Sequence, residues 1–275
     1  MNCCFPTSKL PPPASSIPLL PSRNDEKLEA LFSKTIEELQ AEYDEIKAKP
    51  KTPTKKLHFV FPKNQVLYAH HCAENTLILS QAPDKDSLNP FLKMLHEKAN
   101  AVIILLQIID LTRRPEWQLE PYFTGESELK CDYDLSVEDL PQEVSYIKNK
   151  QLEISPKGNG SPKRLPIHHY NDWPDNKAGT PKHIAMIARI AMDYMTPVIH
   201  CVGGVGRAGT LAAVISAYRR IKKGNHEVDV IKNAVHDLRK ERPGAVFRFA
   251  QYQSVYEAIK ILLEQDNVYN YRLDS

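Results

Sequence analysis

The sequence predicts one α/β domain, a central mixed and twisted β-sheet flanked by helices, running from about residue 25 to 268. Three observations predict it. Short β-branched and apolar runs alternate with segments of helical period along the chain. The longest apolar run, Ala101 to Ile109 (AVIILLQII), has the length of a buried strand and about half that needed to cross a bilayer. The chain has 275 residues, 42% hydrophobic and 25% charged, which is ordinary globular usage and enough to bury a substantial core.

Residues 1–24 hold Pro6, Pro11, Pro12, Pro13, Pro18 and Pro21 with few large apolar groups, so they read as a flexible tail. Within it, Pro18-Leu-Leu-Pro21-Ser-Arg23 has the P-x-x-P-x-R form accepted by SH3-type aromatic grooves, set against the plainer reading of a spacer. From Asp25 onward Leu28, Leu31, Phe32, Ile36, Leu39, Tyr43 and Ile46 recur at helical spacing, with Asn24 or Asp25 placed to cap. The basic, proline-broken Lys49-Pro50-Lys51-Thr52-Pro53 ends that helix. Short strands are predicted at 57–61, 65–70 and 76–80, a helix at 90–99, and the buried strand at 101–109. Further along come a strand at 164–170, a helix at 181–194 and a short buried strand at 197–200. Helices follow over 207–223, stopped by Gly224, then 228–241 and 250–265, and residues 269–275 read as a C-terminal tail.

The formal net charge of +2 is too near neutral to point to nucleic acid, although basic groups can still gather around an anionic substrate. The five cysteines, Cys3, Cys4, Cys72, Cys131 and Cys201, are odd in number and include no C-x-x-C pair. A disulfide framework or structural zinc is therefore not expected, and a reducing, cytoplasmic setting is. No metal, cofactor or transmembrane segment is expected, and the chain reads as a monomer. The N-terminus lacks the layout of a secretory signal. Adjacent Cys3 and Cys4 are candidates for palmitoylation, but Asn2 stands where myristoylation needs glycine and no second anchor is visible.

The stretch that carries chemistry is Pro197-Val-Ile-His200-Cys201-Val202-Gly203-Gly204-Val205-Gly206-Arg207-Ala208-Gly209-Thr210. A short strand feeds a glycine-rich loop, and a helix begins where the loop ends. Glycines at 203, 204 and 206 let the loop curl so that successive N–H groups face inward as an anion nest. The helix N-terminus adds its unpaired donors and positive dipole end. These groups favour an anionic sulfur on Cys201, the nucleophile and metal-free reactive centre of the reading. Arg207 supplies a fork that holds two phosphate oxygens, so Val202 to Arg207 are the candidate phosphate-binding residues. Neighbouring His168 and His169 read as a strand end, since no cysteine or carboxylate stands at metal-ligand spacing.

HCVGGVGRAGT resembles the signature loop of the protein tyrosine phosphatases. The resemblance spans about residues 26–265. Trp173-Pro174-Asp175 looks like that family's mobile acid loop, and Glu241-Arg242-Pro243-Gly244 followed by Gln251-Tyr252-Gln253 looks like its glutamine loop. Thr76 to Pro83, Phe91 to Leu106 and Tyr122-Phe123 resemble further landmarks. The resemblance implies a cysteine-phosphatase fold of the tyrosine-specific branch, and the compact early region looks like phosphatases that bacterial pathogens secrete into host cells as effectors. It implies that Cys201 attacks the phosphorus of a phosphotyrosine protein or peptide while Asp175 protonates the leaving phenolate and later acts as base. Trp173 would anchor the acid loop, Pro174 stiffen it, His200 tune the thiolate by hydrogen bonding, and Gln251 touch the substrate side.

Three departures from the family pattern stand out. Ala208 occupies the place of a hydroxyl that assists the leaving thiolate. Phe247 falls where the first glutamine of the glutamine loop would position water. Both touch the second step, which is expected to be slow. The aromatic loop that grips phosphotyrosine is not legible near residues 45–70, where Lys51, Lys55 and Lys56 stand instead. A phosphoinositide phosphatase and a phosphotyrosine binder with little turnover are the alternatives. Either Asp110 or Glu116 is placed to orient Arg207.

Overall fold

The computed structural model describes residues 23–48, 67–113, 115–125, 129–158 and 160–273. The proline-rich tail to residue 22, the 49–66 connector with its lysines, and the strand expected at 57–61 lie outside the described residues.

The expected first helix is two, α1 (Arg23–Phe32) and α2 (Ile36–Ala48). Thr35 and Glu38 explain the break. Glu38 N–H donates to Thr35 Oγ1 at 3.2 Å and Thr35 N–H to Glu38 Oε2 at 2.7 Å, a reciprocal cap that starts α2 afresh. Glu42 on α2 accepts from the hydroxyls of Tyr252 and Tyr256 at 2.9 and 2.8 Å, seating the helix on the far end of the chain.

Seven strands follow: β1 (Ala69–Cys72), β2 (Leu77–Ser80), β3 (Ala101–Ile104), β4 (Tyr133–Asp139), β5 (Ile147–Pro156), β6 (Lys163–Tyr170) and β7 (Pro197–His200). Their order in one sheet is β1-β2-β7-β3-β6-β5-β4. The central four, β2, β7, β3 and β6, are parallel, while β1 and the β5–β4 pair are antiparallel at the two edges. Strands β2, β7 and β3 are buried on both faces, which is why β3 reads as an unbroken apolar run, while β6 is buried mainly on alternate residues.

Helix α3 (Leu88–Lys98) covers one face, packing Phe91, Leu92 and Leu95 against Val102, Ile104, Ile167 and Val198. The other face carries α5 (Pro181–Met192), α6 (Arg207–Lys222), α7 (Val230–Glu241) and α8 (Phe249–Leu273). Thirteen of the sixteen residues of α6 are buried, so this helix is surrounded and shows little amphipathic period. Helix α8 runs on to Leu273, past residue 268 where the sequence predicts a tail.

The strand expected over 101–109 is shorter. The apolar run stays a strand only to Ile104. Gln107 N–H then bonds Asp110 Oδ2 at 2.9 Å and Ile108 N–H bonds Asn171 Oδ1 at 2.7 Å, turning the chain and leaving Ile108 and Ile109 exposed. A single turn of helix, α4 (Asp110–Arg113), follows at once. The β4–β5 hairpin has no counterpart in the sequence reading. Among the described residues no helix is long and apolar enough to cross a membrane, and no cluster of three or more His, Cys, Asp or Glu is placed to hold a metal ion.

Candidate active site

The loop from Cys201 to Gly206 joins the C-terminal end of central strand β7 to the N-terminus of buried helix α6. Its peptide carbonyls all face outward onto partners. Cys201 O meets His200 Nδ1 at 3.2 Å and Val202 O accepts from Ala82 N–H at 2.8 Å. Gly203 O and Gly204 O accept from Arg242 Nη2 and Nε at 2.8 and 3.1 Å. Val205 O accepts from Val246 N–H at 3.1 Å, and Gly206 O from Thr210 N–H and Oγ1 at 2.9 and 2.8 Å. A planar peptide with its oxygen turned out has its N–H turned in. None of the N–H groups of residues 202–206 donates to another described residue. The result is a ring of inward donors at a helix N-terminus, a cradle for an oxyanion. Gly204 shows why the glycines are needed: its φ is +64°, and a Cβ there would lie 2.2 Å from Ser80 O.

Arg207 is wholly buried beneath this ring. Its Nη1 donates to Asp110 Oδ2 at 2.6 Å and to Trp173 O at 2.9 Å. Of the two carboxylates that sequence spacing allows, Asp110 is thus the partner, and Glu116 lies at the cavity rim instead. Arg207 Nε and Nη2 have no hydrogen-bond partner among the described residues, although Asp175 Oδ1 stands 3.3 Å from Nη2 as an ion pair. Burial disfavours the cation, but the Cys201 sulfur, Asp110 and Asp175 outweigh it and hold the guanidinium above its ordinary range. Nε and Nη2 are thus buried donors without a hydrogen-bond partner among the described residues, with the Asp175 carboxylate beside Nη2.

Trp173 is buried and its Nε1 donates to Lys177 O at 3.0 Å, closing the 173–177 segment on itself. Gly179 lies flat against that indole, where a Cβ would come within 2.6 Å. Asp175 is 34% exposed at the side chain, and its Oδ2 accepts from Asn176 Nδ2 at 2.8 Å. Asn176 in turn accepts from Arg248 Nε at 3.2 Å, tying the 173–177 segment to the segment after α7.

His200 lies in the core, its Nε2 2.8 Å from the Tyr122 hydroxyl. Burial, with some help from His169 and Arg207, pushes its pKa down to about 3 against the opposing bond to Cys201 O, so the ring is neutral. Burial also raises the Tyr122 phenol well above its usual value. The bonding order that follows is Tyr122 O–H to Nε2, and Nδ1–H to the Cys201 carbonyl. The histidine thus bonds the carbonyl beside the sulfur, and it orients that peptide.

A cavity of about 560 Å³ opens above Cys201. Cys201, Val202, Gly203, Val205, Gly206 and Asp175 line it, while Gly204 lies at the outer bend and Arg207 below. Gln251, expected at the substrate, is buried and bonded to Arg248 N–H and Lys177 O at 3.2 and 3.4 Å, and it packs under Gly206 outside the cavity lining. Phe247 lines the cavity, its backbone oxygen held by the Tyr43 hydroxyl at 2.6 Å. Ala208 is buried in the first turn of α6 with no hydroxyl to offer.

Arg242 is the contributor that sequence reasoning missed. It is buried, and its Nη1 also reaches Tyr68 O at 3.0 Å and His70 Nδ1 at 2.7 Å, so one side chain fixes two loop carbonyls to strand β1. Its only signal was its place in Glu241-Arg242-Pro243-Gly244.

Comparison with known proteins bears on the same residues. The family model described as Protein-tyrosine phosphatase matches residues 43–260. Human receptor-type tyrosine-protein phosphatase epsilon is 29% identical over 199 residues, covering 68% of this chain and 27% of that protein. The Arabidopsis thaliana protein-tyrosine-phosphatase PTP1 is 26% identical over 210 residues, covering 68% of this chain and 57% of that one. The chain thus spans about a quarter of the length of the first curated relatives it matches. Among solved structures, the Trypanosoma brucei protein tyrosine phosphatase superposes with a TM-score of 0.69 at 18% identity, covering 84% of this chain and 95% of that one. PTPN18 in complex with HER2 phosphopeptides gives 0.69 at 18% identity, over 86% and 96%. At these identities the structural likeness speaks for the fold.

Proposed function

Because this chain belongs to the protein-tyrosine phosphatase family, we propose that it hydrolyses phosphotyrosine in proteins or peptides through a phosphocysteine formed on Cys201. The observation that carries this is the outward set of carbonyls from Cys201 to Gly206, with the two unspent donors of Arg207 under the ring. Such a cradle matches the equatorial oxygens of a transferring phosphoryl group and needs no reorganisation as charge spreads over them.

In the first step the Cys201 sulfur attacks phosphorus, the S–P bond forms, and the P–O bond to the phenol breaks. Asp175 gives its proton to the departing oxygen. In the second step Asp175 takes a proton from water, the water oxygen bonds phosphorus, and the S–P bond breaks to release phosphate and the Cys201 thiolate. The Asp175–Arg207 approach of 3.3 Å supports the placing of that acid beside the phosphate site. The three described cysteines are free, in keeping with a thiol enzyme of a reducing compartment.

The charge of the rim argues against inositol phosphates. Asp84, Glu116 and Asp175 line the cavity and no lysine or arginine does among the described residues, a poor setting for a polyphosphorylated ring. The test is hydrolysis of phosphotyrosine peptides beside inositol phosphates by the wild type, Cys201→Ser and Asp175→Ala. The serine variant is expected to be dead. The alanine variant should bind while losing roughly 10²- to 10⁴-fold in rate. Full activity in Asp175→Ala removes the acid assignment, and turnover confined to inositol phosphates removes the substrate class.

A further inference from the structure

Asn176 follows the proposed acid and lines the same cavity, its backbone at φ +59° in a left-handed turn that asparagine tolerates. Its side-chain amide sits between two charged groups. Arg248 Nε lies 3.2 Å from Asn176 Oδ1, and Asn176 Nδ2 lies 2.8 Å from Asp175 Oδ2. A guanidinium nitrogen can only donate, so Arg248 fixes which end of the amide is oxygen. The NH2 end is then turned to Asp175, and it can only donate there. Arg248 is held in its turn. Its guanidinium lies 4.8 Å over the Phe247 ring, and its backbone N–H bonds Gln251 Oε1 at 3.2 Å. Gln251 Nε2 reaches Lys177 O at 3.4 Å, a second bridge to the residue after Asn176.

We propose that Asn176, oriented by Arg248, is a positioning residue that sets which oxygen of Asp175 carries the proton given to the leaving phenol; this rests on the phosphotyrosine reading above, with Asp175 as its acid. In a neutral carboxyl, the oxygen that accepts from an amide N–H is the carbonyl oxygen, and the proton is on the other. Asp175 Oδ2 accepts from Asn176, so the proton resides on Oδ1, the oxygen 3.3 Å from Arg207 Nη2. In the transfer the Oδ1–H bond breaks and the proton goes to the ester oxygen, which keeps the electron pair of its broken P–O bond. The carboxylate left behind is met by Asn176 Nδ2 on one side and Arg207 on the other. Without the amide either oxygen can hold the proton, and only one placement faces the guanidinium. Asn176 and Arg248 are both exposed, so replacing either is not expected to unfold the protein.

The test uses the full chain and compares kcat/KM, which reads the first step, for two esters that differ in their need of an acid: phenyl phosphate and dinitrophenyl phosphate. Asn176→Gly removes the amide and keeps a φ that glycine adopts freely. It is expected to lower kcat/KM for phenyl phosphate roughly tenfold, while dinitrophenyl phosphate, whose phenolate leaves unaided, moves by less than about twofold. Arg248→Ala should change the same ratio by roughly threefold, and the double variant no further than Asn176→Gly alone, since the arginine acts through the amide. An equal fall for both esters would mark a merely structural role, and an unchanged phenyl phosphate value would mark none. Either result overturns the inference and leaves the phosphatase reading intact. A wild type that hydrolyses neither ester overturns that reading and the inference with it.

Discussion

Replacing Asp110 by asparagine isolates one charge in the site. Asp110 Oδ2 accepts both from Gln107 N–H and from Arg207 Nη1, and an amide oxygen can keep both bonds. What the variant loses is the negative charge beside a guanidinium with no solvent exposure. Breaking a buried pair on one side costs about 3–5 kcal/mol, because a buried cation is left uncompensated. Asp175 stands 3.3 Å from the same guanidinium and compensates in part, which puts the loss near the lower end, about 3 kcal/mol. In a domain of this size that corresponds to a fall in Tm of roughly 6–12 °C. Thermal unfolding followed by circular dichroism, with and without vanadate, reads it. Vanadate brings negative charge to Arg207 and is expected to recover more of the lost stability in the variant than it adds to the wild type. An Asp110→Asn protein melting within about 2 °C of wild type would show that Arg207 does not depend on this partner.

On the proposed function, with Ala208 and Phe247 standing where the family resemblance implies a hydroxyl and a glutamine, the second step is expected to limit turnover; rapid-quench kinetics should show a burst of phenol release that Phe247→Gln reduces by speeding the steady state. A linear time course with fast turnover contradicts this. Gly179→Ala forces a methyl group to within 2.6 Å of the Trp173 indole and should lower kcat roughly 10- to 100-fold through a displaced acid segment, with phosphate inhibition unchanged. Burial holds His169 near a pKa of about 4 and His200 near about 3, both below the ordinary 6.5. The unfolded chain therefore takes up these protons first as pH falls. Stability is complete above about pH 6.5 and is lost toward pH 4 and 3, at up to about 1.4 kcal/mol per pH unit for each histidine. Urea midpoints that are equal at pH 7 and pH 5 would refute it.

Motif and strand lengths made the Cys201–Arg207 loop legible. Strand β7 and the start of α6 fall where glycine spacing and the apolar run put them, because that segment packs by local rules. Asp110 was ambiguous for a physical reason: the apolar pattern of 101–109 does not reveal that the strand ends five residues early and that side-chain bonds from Asp110 and Asn171 turn the chain after it. The β4–β5 hairpin escaped although Tyr133, Leu135 and Val137 alternate with polar residues and pack half-buried against the core, because the facing stretch Lys148 to Gln151 of β5 is polar and carries no apolar period. Arg242 escaped for a different reason. A buried arginine satisfied by four acceptors leaves no periodic trace, and its contacts lie far away in sequence.

The hydroxyl of Tyr43 on the backbone oxygen of Phe247 has a practical corollary. A fragment trimmed to begin at the first strand would keep the sulfur, the acid and the guanidinium, and by a list of reacting groups it would look whole. It would also drop the strut under one rim of the pocket and the carboxylate that Tyr252 and Tyr256 share. The opening helices therefore brace one distant wall of the pocket, and shortening the chain there should loosen that wall while the groups at its floor stay in place.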